Sequence, residues 1–200
     1  MNTKQFLFFF LFSSILIAQN DTSLVLLKNI DSTIVSDVRY ATTNNFTHTI
    51  LYKNNKVYLR KVVADSLKKA NEYFKENFNY RIKIFDGYRP LSVQRFMWKI
   101  MPDKRYVADP KKGSRHNRGA AVDITLIDSL GKQLDMGTEY DNFTQKAHPG
   151  YKNLPKQVLL NRKILSNGMK KFGFHPINSE WWHFDFHGWR RFSILDIVFN

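Results

Sequence analysis

Two stretches far apart in the chain alternate apolar and polar residues: Ala121-Val122-Asp123-Ile124-Thr125-Leu126 and Trp182-His183-Phe184-Asp185-Phe186. Such a period of two marks a strand with one buried face. Val122, Ile124 and Leu126 share one side, with Asp123 on the other; Trp182, Phe184 and Phe186 oppose His183 and Asp185. If both strands join one sheet and bury their apolar faces, Asp123 and His183 come to lie on a shared polar face. The chain must therefore fold so as to bring these two segments together.

Their flanks add the remaining chemistry. His116 lies in the loop entering the first strand, where Gly119 allows a tight turn, and Glu180 stands three residues before His183. Two neutral imidazoles and a carboxylate (His116, His183 and Asp123) suit one zinc ion with a fourth position left open, the arrangement of a hydrolytic centre. Glu180 sits beside a ligand without having to be one, where a general base for water belongs; Asp185 is the alternative base. A lone histidine would read as a satisfied core residue on a solvated strand face. The paired constellation argues against that.

Around these strands the periodicity predicts three helices. Over Lys61 to Asn77, Val63, Leu67, Ala70 and Phe74 form an apolar stripe. Leu91 to Met101 follows, with Phe96 and Ile100 spaced to pack. Pro155 to Phe172 is the third, with Lys170 and Lys171 in its last turn and Gly173 as its stop. Short strands are expected over Val35 to Ala41 and Arg81 to Phe85, a turn over Asp128 to Lys132, and a basic rim over Pro102 to Gly113. The fold class is α+β: an antiparallel sheet carrying the site, packed with about three helices. No internal repeat appears, and 200 residues suffice for one domain with a real core.

Arg89 follows Tyr88 and precedes Pro90, which biases it toward extended backbone on a stiff turn. A guanidinium held this way suits an oxyanion or a carboxylate; a surface ion pair is the plainer reading.

The opening residues bear on location. Lys4 precedes a largely apolar run from Phe6 to Ile17 that ends at Ala18, a signal-peptide pattern shorter than the roughly 20 residues of a membrane span. We expect residues 1–18 to be a cleaved signal peptide, residues 19–200 to be a single domain carrying the zinc site, and the protein to be periplasmic without a transmembrane segment. Cysteine is absent, which excludes lipoprotein anchoring and disulfides. Against 17 acids there are 31 Lys and Arg, a net charge of +14. Outside the cytoplasm such a charge suits electrostatic contact with an anionic envelope, and no nucleic-acid motif accompanies it.

The motif Ser-x-His-x-x-Gly-x-Ala-x-Asp, from Ser114 to Asp123, with Glu-x-x-His, from Glu180 to His183, resembles the zinc D,D-peptidases acting on peptidoglycan peptides. Three further segments narrow the resemblance to the D-alanyl-D-alanine dipeptidases: Arg39 to Thr47, Asp86 to Pro90, and Met136 to Asp141. The resemblance implies hydrolysis of D-alanyl-D-alanine to two D-alanines, with Arg89 stabilising the tetrahedral intermediate. It implies that Asp141 and Ser114 bind the substrate's free amino group and that Tyr40 lines the pocket. His48 departs from it, occupying a position where the family tends to have glycine. The rivals are a D,D-carboxypeptidase or endopeptidase cutting stem peptides, and a non-catalytic zinc-stabilised wall-binding domain, which would need neither Glu180 nor Arg89.

Overall fold

Where the apolar stripe of residues 61–77 was expected, the chain forms helix α2 (Lys61–Phe78), with Val63, Leu67, Ala70 and Phe74 fully buried. Asn79 ends it in the left-handed region (φ 56°), its N–H bonding back to Phe74 and Lys75; asparagine tolerates this conformation better than most residues. A computed structural model describes residues 22–199, so the expected signal peptide lies outside the described residues.

In chain order, the elements before α2 are β1 (Leu24–Leu26), the one-turn α1 (Leu27–Ile30), β2 (Val35–Ser36) and β3 (Tyr58–Arg60). After it come β4 (Arg81–Asp86), α3 (Leu91–Ile100), β5 (Ala121–Ile127), α4 (Lys156–Lys171), β6 (Phe174–Pro176) and β7 (His183–Phe186). The main sheet has the order β2-β4-β5-β7-β6, and β1 pairs separately with β3. Helix α2 packs against β4 and α4. At the α2–α4 contact a Cβ on Gly168 would stand 2.3 Å from the Phe74 ring, so glycine sets how closely the helices approach.

The α+β class holds, with three corrections. In the main sheet one pairing, β2 with β4, is parallel; the other three are antiparallel. The strand expected over Val35 to Ala41 stops at Ser36, and Arg39–Ala41 turns into a 3₁₀ segment that buries Tyr40. On α3, Phe96 and Ile100 are exposed (40% and 47%), and the inward positions belong to Gln94 and Met97. A polar residue takes the inner face there because Gln94 has buried polar groups to satisfy.

The sheet also departs from simple alternation at one informative point. β4 and β5 run in register to Ile84↔Ile124, and then Asp86, rather than Phe85, pairs with Asp123. This β-bulge rotates Asp86 onto the site face. On the other side Asp123 pairs directly with His183 of β7. Asp86, Asp123 and His183 thus form one row across three strands, and the row is buried rather than solvated.

Candidate active site

His116 reaches the row from a 3₁₀ turn, His116–Arg118, closed by Gly119 at φ 65°. A Cβ at Gly119 would meet Leu24 at 2.7 Å, so both conformation and space call for glycine. His116 Nδ1 lies 2.7 Å from the carbonyl of Gly87, and a carbonyl only accepts, so Nδ1 carries the proton and Nε2 the lone pair. By the same logic His183 donates from Nε2 to Asp185 Oδ1 at 2.9 Å, leaving Nδ1 bare. The two bare nitrogens stand 3.2 Å apart, and lie 3.3 Å and 2.9 Å from Asp123 Oδ1.

Three electron-pair donors facing one another in this way call for a cation. Without a metal ion a proton takes that place on Nδ1: burial would lower the His183 pKa, yet hydrogen bonds from the protonated ring to Asp123 and Asp185 push it up to about 10. The charge and hydrogen bonding of the imidazoles hold Asp123 far below the usual carboxylate range despite burial. One ligand atom from each of the three residues lies within 4.8 Å of the others. Ligands about 2 Å from a tetrahedral zinc stand roughly 3.3 Å apart, and the observed spacings meet that requirement.

The row opens onto a cavity of about 130 Å³ whose lining includes all eight side chains singled out from the sequence: Tyr40, Arg89, Ser114, His116, Asp123, Asp141, Glu180 and His183. Glu180 is 8% exposed, with Oε2 3.9 Å from His183 Nδ1, and burial raises its pKa to about 8. Asp141 sits at φ 58°, accepts hydrogen bonds from the Tyr40 hydroxyl (3.2 Å) and the Phe46 N–H (3.4 Å), and is pushed up to about 7 by burial and by the charge of Asp123. Ser114 lines the cavity but also closes the His116 turn, its Oγ accepting the Asn117 N–H and its N–H donating to Asn117 Oδ1. His48, in the loop bearing Phe46, has φ 53°, so the loop keeps the backbone conformation that favours glycine.

Arg89 is buried, not a surface ion pair. Its Nε and one terminal nitrogen donate to Asp86 Oδ2 at 2.9 and 2.6 Å, and the other terminal nitrogen donates to Gln94 at 3.0 Å. Its face lies over the Tyr40 ring at 5.1 Å. With three N–H groups committed, the fork is locked and two remain for the cavity.

The supporting residues escaped the sequence reading. Asp86 entered there only as the first residue of a segment carrying the resemblance, with no role of its own, yet it is fully buried and also binds Tyr52. Asp185, the alternative base, instead orients His183, as second carboxylates do behind metal-binding histidines. Tyr140 donates to Asp123 Oδ2 at 3.0 Å. The one available signal was the alternation placing Asp185 on the His183 face. Residues 104–108, from the expected basic rim, do line the cavity.

A buried His, Asp and His set with a raised-pKa carboxylate beside it, all facing one cavity, defines a metal-dependent hydrolase. A family model described as D-ala-D-ala dipeptidase, peptidase family M15, matches residues 20–190. The chain belongs to this family of metallopeptidases. A D-alanyl-D-alanine dipeptidase of Escherichia coli K12 is 35% identical over 164 residues, covering 82% of this chain and 84% of that protein. One from Enterococcus faecalis is 30% identical over 172 residues, covering 74% and 83%. Among solved structures, VanYB in complex with D-alanine-D-alanine shows a distant likeness: 16% identity, 68% of this chain, 76% of that one, TM-score 0.45.

Proposed function

We propose that the protein hydrolyses the free dipeptide D-alanyl-D-alanine to two D-alanines, using one zinc ion held by His116, Asp123 and His183. The observation that carries the reading is the half-buried, poorly solvated Asp141 carboxylate in the same cavity as the His-Asp-His set. A carboxylate kept from water has much to gain from an incoming ammonium, and an ammonium so close to the scissile bond belongs to a dipeptide.

Zinc in this site supplies a Lewis acid that polarises the scissile carbonyl and acidifies water. Glu180, whose burial makes it a stronger base than an ordinary carboxylate, takes the proton of the attacking water and returns it to the leaving amine. Arg89 presents its two remaining N–H groups to the oxygen on which charge develops, and its locked geometry avoids reorganisation at that moment. Tyr40 and Phe46 hold Asp141 toward the substrate's amino group. Asp185 and the Gly87 carbonyl keep both imidazoles in the tautomers that present their lone pairs.

The apolar run of residues 6–17 supports export, and with it a periplasmic setting in which the basic surface meets an anionic envelope. No helix among the described residues is long and apolar enough to cross a membrane.

The test is to assay the purified protein against D-Ala-D-Ala, L-Ala-L-Ala, acetyl-D-Ala-D-Ala and a muramyl pentapeptide, with elemental analysis of the active sample. The reading expects about one zinc per chain and turnover confined to the free D,D-dipeptide. Efficient cleavage of the acetylated or muramyl substrate would make the protein a carboxypeptidase with the same zinc chemistry. An active protein without a transition metal would overturn the mechanism.

A further inference from the structure

The described tail, residues 194–199, is tied to both loops that frame the His-Asp-His set. Leu195 bridges them: its N–H donates to the carbonyl of Asn117 at 2.9 Å, and its own carbonyl accepts from the N–H of Leu91 at 3.2 Å. Asn117 is the neighbour of His116, and Leu91 opens α3 just after Arg89 and Pro90. Asp196 follows, and one oxygen, Oδ1, accepts both the N–H and the hydroxyl of Ser92 at 2.7 Å. Next, the N–H of Ile197 donates to the Tyr88 hydroxyl at 2.7 Å, and the Phe199 ring stacks on Tyr58 at 3.7 Å.

What Asp196 binds is the open end of a helix. Pro90 is the N-cap of α3 and supplies no side-chain cap, so the amides of the first turn lack an intrahelical acceptor. Asp196 takes that role from a segment remote in sequence, with its negative charge at the favourable end of the helix dipole. The same helix carries Gln94, fully buried, which accepts from the Arg89 guanidinium and donates to the Ala108 carbonyl at 2.8 Å. The two loops also hold each other: Arg89 N–H donates to the His116 carbonyl, and Asn117 Nδ2 to the Arg89 carbonyl.

We propose that residues 195–197 are a positioning clamp for the active site, in which Asp196 caps α3 and thereby fixes, through Gln94, the direction in which the Arg89 guanidinium points. Asp196 is a positioning residue, since it meets neither substrate nor metal. The inference rests on the reading of Arg89 as the group facing the developing negative charge. A cap that only stabilised the helix would raise the melting temperature and leave turnover alone. A clamp acts on turnover because a contact made in the transition state is sensitive to small displacements.

The test uses the full-length, zinc-loaded protein with Asp196→Ala, Asp196→Asn, Arg89→Lys, and the double variant Asp196→Ala/Arg89→Lys. Asparagine keeps the Oδ1 acceptor for Ser92, and alanine removes it. For Asp196→Ala the clamp predicts kcat about fivefold lower, in line with the loss of one helix cap, with KM and zinc content near wild type and faster amide exchange at Ser92 to Gln94. Asp196→Asn should restore most of kcat. In the Arg89→Lys background the Asp196→Ala change should lower kcat no further, since both act through one guanidinium. Wild-type kcat in Asp196→Ala, or a full additional loss in the double variant, would overturn the clamp. Full activity of Arg89→Lys alone would instead overturn the reading of Arg89, a separate failure visible in the single variant.

Discussion

Replacing Asp141 by asparagine should make the protein more stable and less active, with both effects traceable to one half-buried, poorly solvated charge. The Asp141 carboxyl titrates near 7 in the fold, against 3.8 for the ordinary group, because burial and the charge of Asp123 disfavour ionisation. A folded-state pKa raised above the unfolded value means that stability is fully present below about pH 4 and is lost as pH rises through 7. The gap of about three pH units, at ~1.4 kcal/mol each, bounds the loss at about 4 kcal/mol. A cation held by the nearby His-Asp-His set pulls the carboxyl down again, so ~2–4 kcal/mol is the expected range. Asparagine is nearly the same shape and keeps an oxygen to accept the Tyr40 hydroxyl, but carries no charge. Urea unfolding of the wild type and Asp141→Asn should therefore diverge from equal stability near pH 4 to a clear advantage for the variant at pH 8. Changes at groups remote from Asp141 cancel in that difference, and relief of its repulsion on Glu180 adds in the same direction. In parallel, kcat/KM for D-Ala-D-Ala should fall with zinc content unchanged. A variant no more stable than wild type at pH 8 would refute the electrostatic reasoning. A stabilised variant with full dipeptide activity would remove Asp141 from substrate binding.

Glu180→Gln should keep its zinc while kcat falls ~10²–10⁴-fold, the usual worth of general acid–base help; metal analysis beside steady-state kinetics checks it. Gly168→Ala should destabilise the fold by ~1–3 kcal/mol in denaturant unfolding, since its methyl would stand 2.3 Å from the Phe74 ring where α2 meets α4. His48→Gly should raise stability by a few tenths to ~1 kcal/mol, because φ 53° costs glycine nothing; a loss would mean that the imidazole holds the loop.

The chain's sequence by itself determined which residues gather as the His-Asp-His set, the paired strands and the long helices, because each is encoded locally. Asp123 and His183 could be placed on one face because strand alternation repeats every two residues, and they are in fact register partners. The stripe of α2 likewise repeats with the helical turn, and all four of its expected core residues are buried. Only the tertiary structure decided how that site is supported. The bulge after Ile84 sets Asp86 instead of Phe85 beside Asp123, and no local pattern marks a one-residue slip between strands separated by α3 and a long loop. α3 turns Gln94 inward and leaves Phe96 and Ile100 out because Arg89 and Ala108, outside the helix, need a buried polar partner. Asp196 finds its role at the far end of the chain, against Ser92. Periodicity reports which face of an element is apolar, whereas hydrogen-bond satisfaction in a buried site depends on groups that only the folded chain brings together.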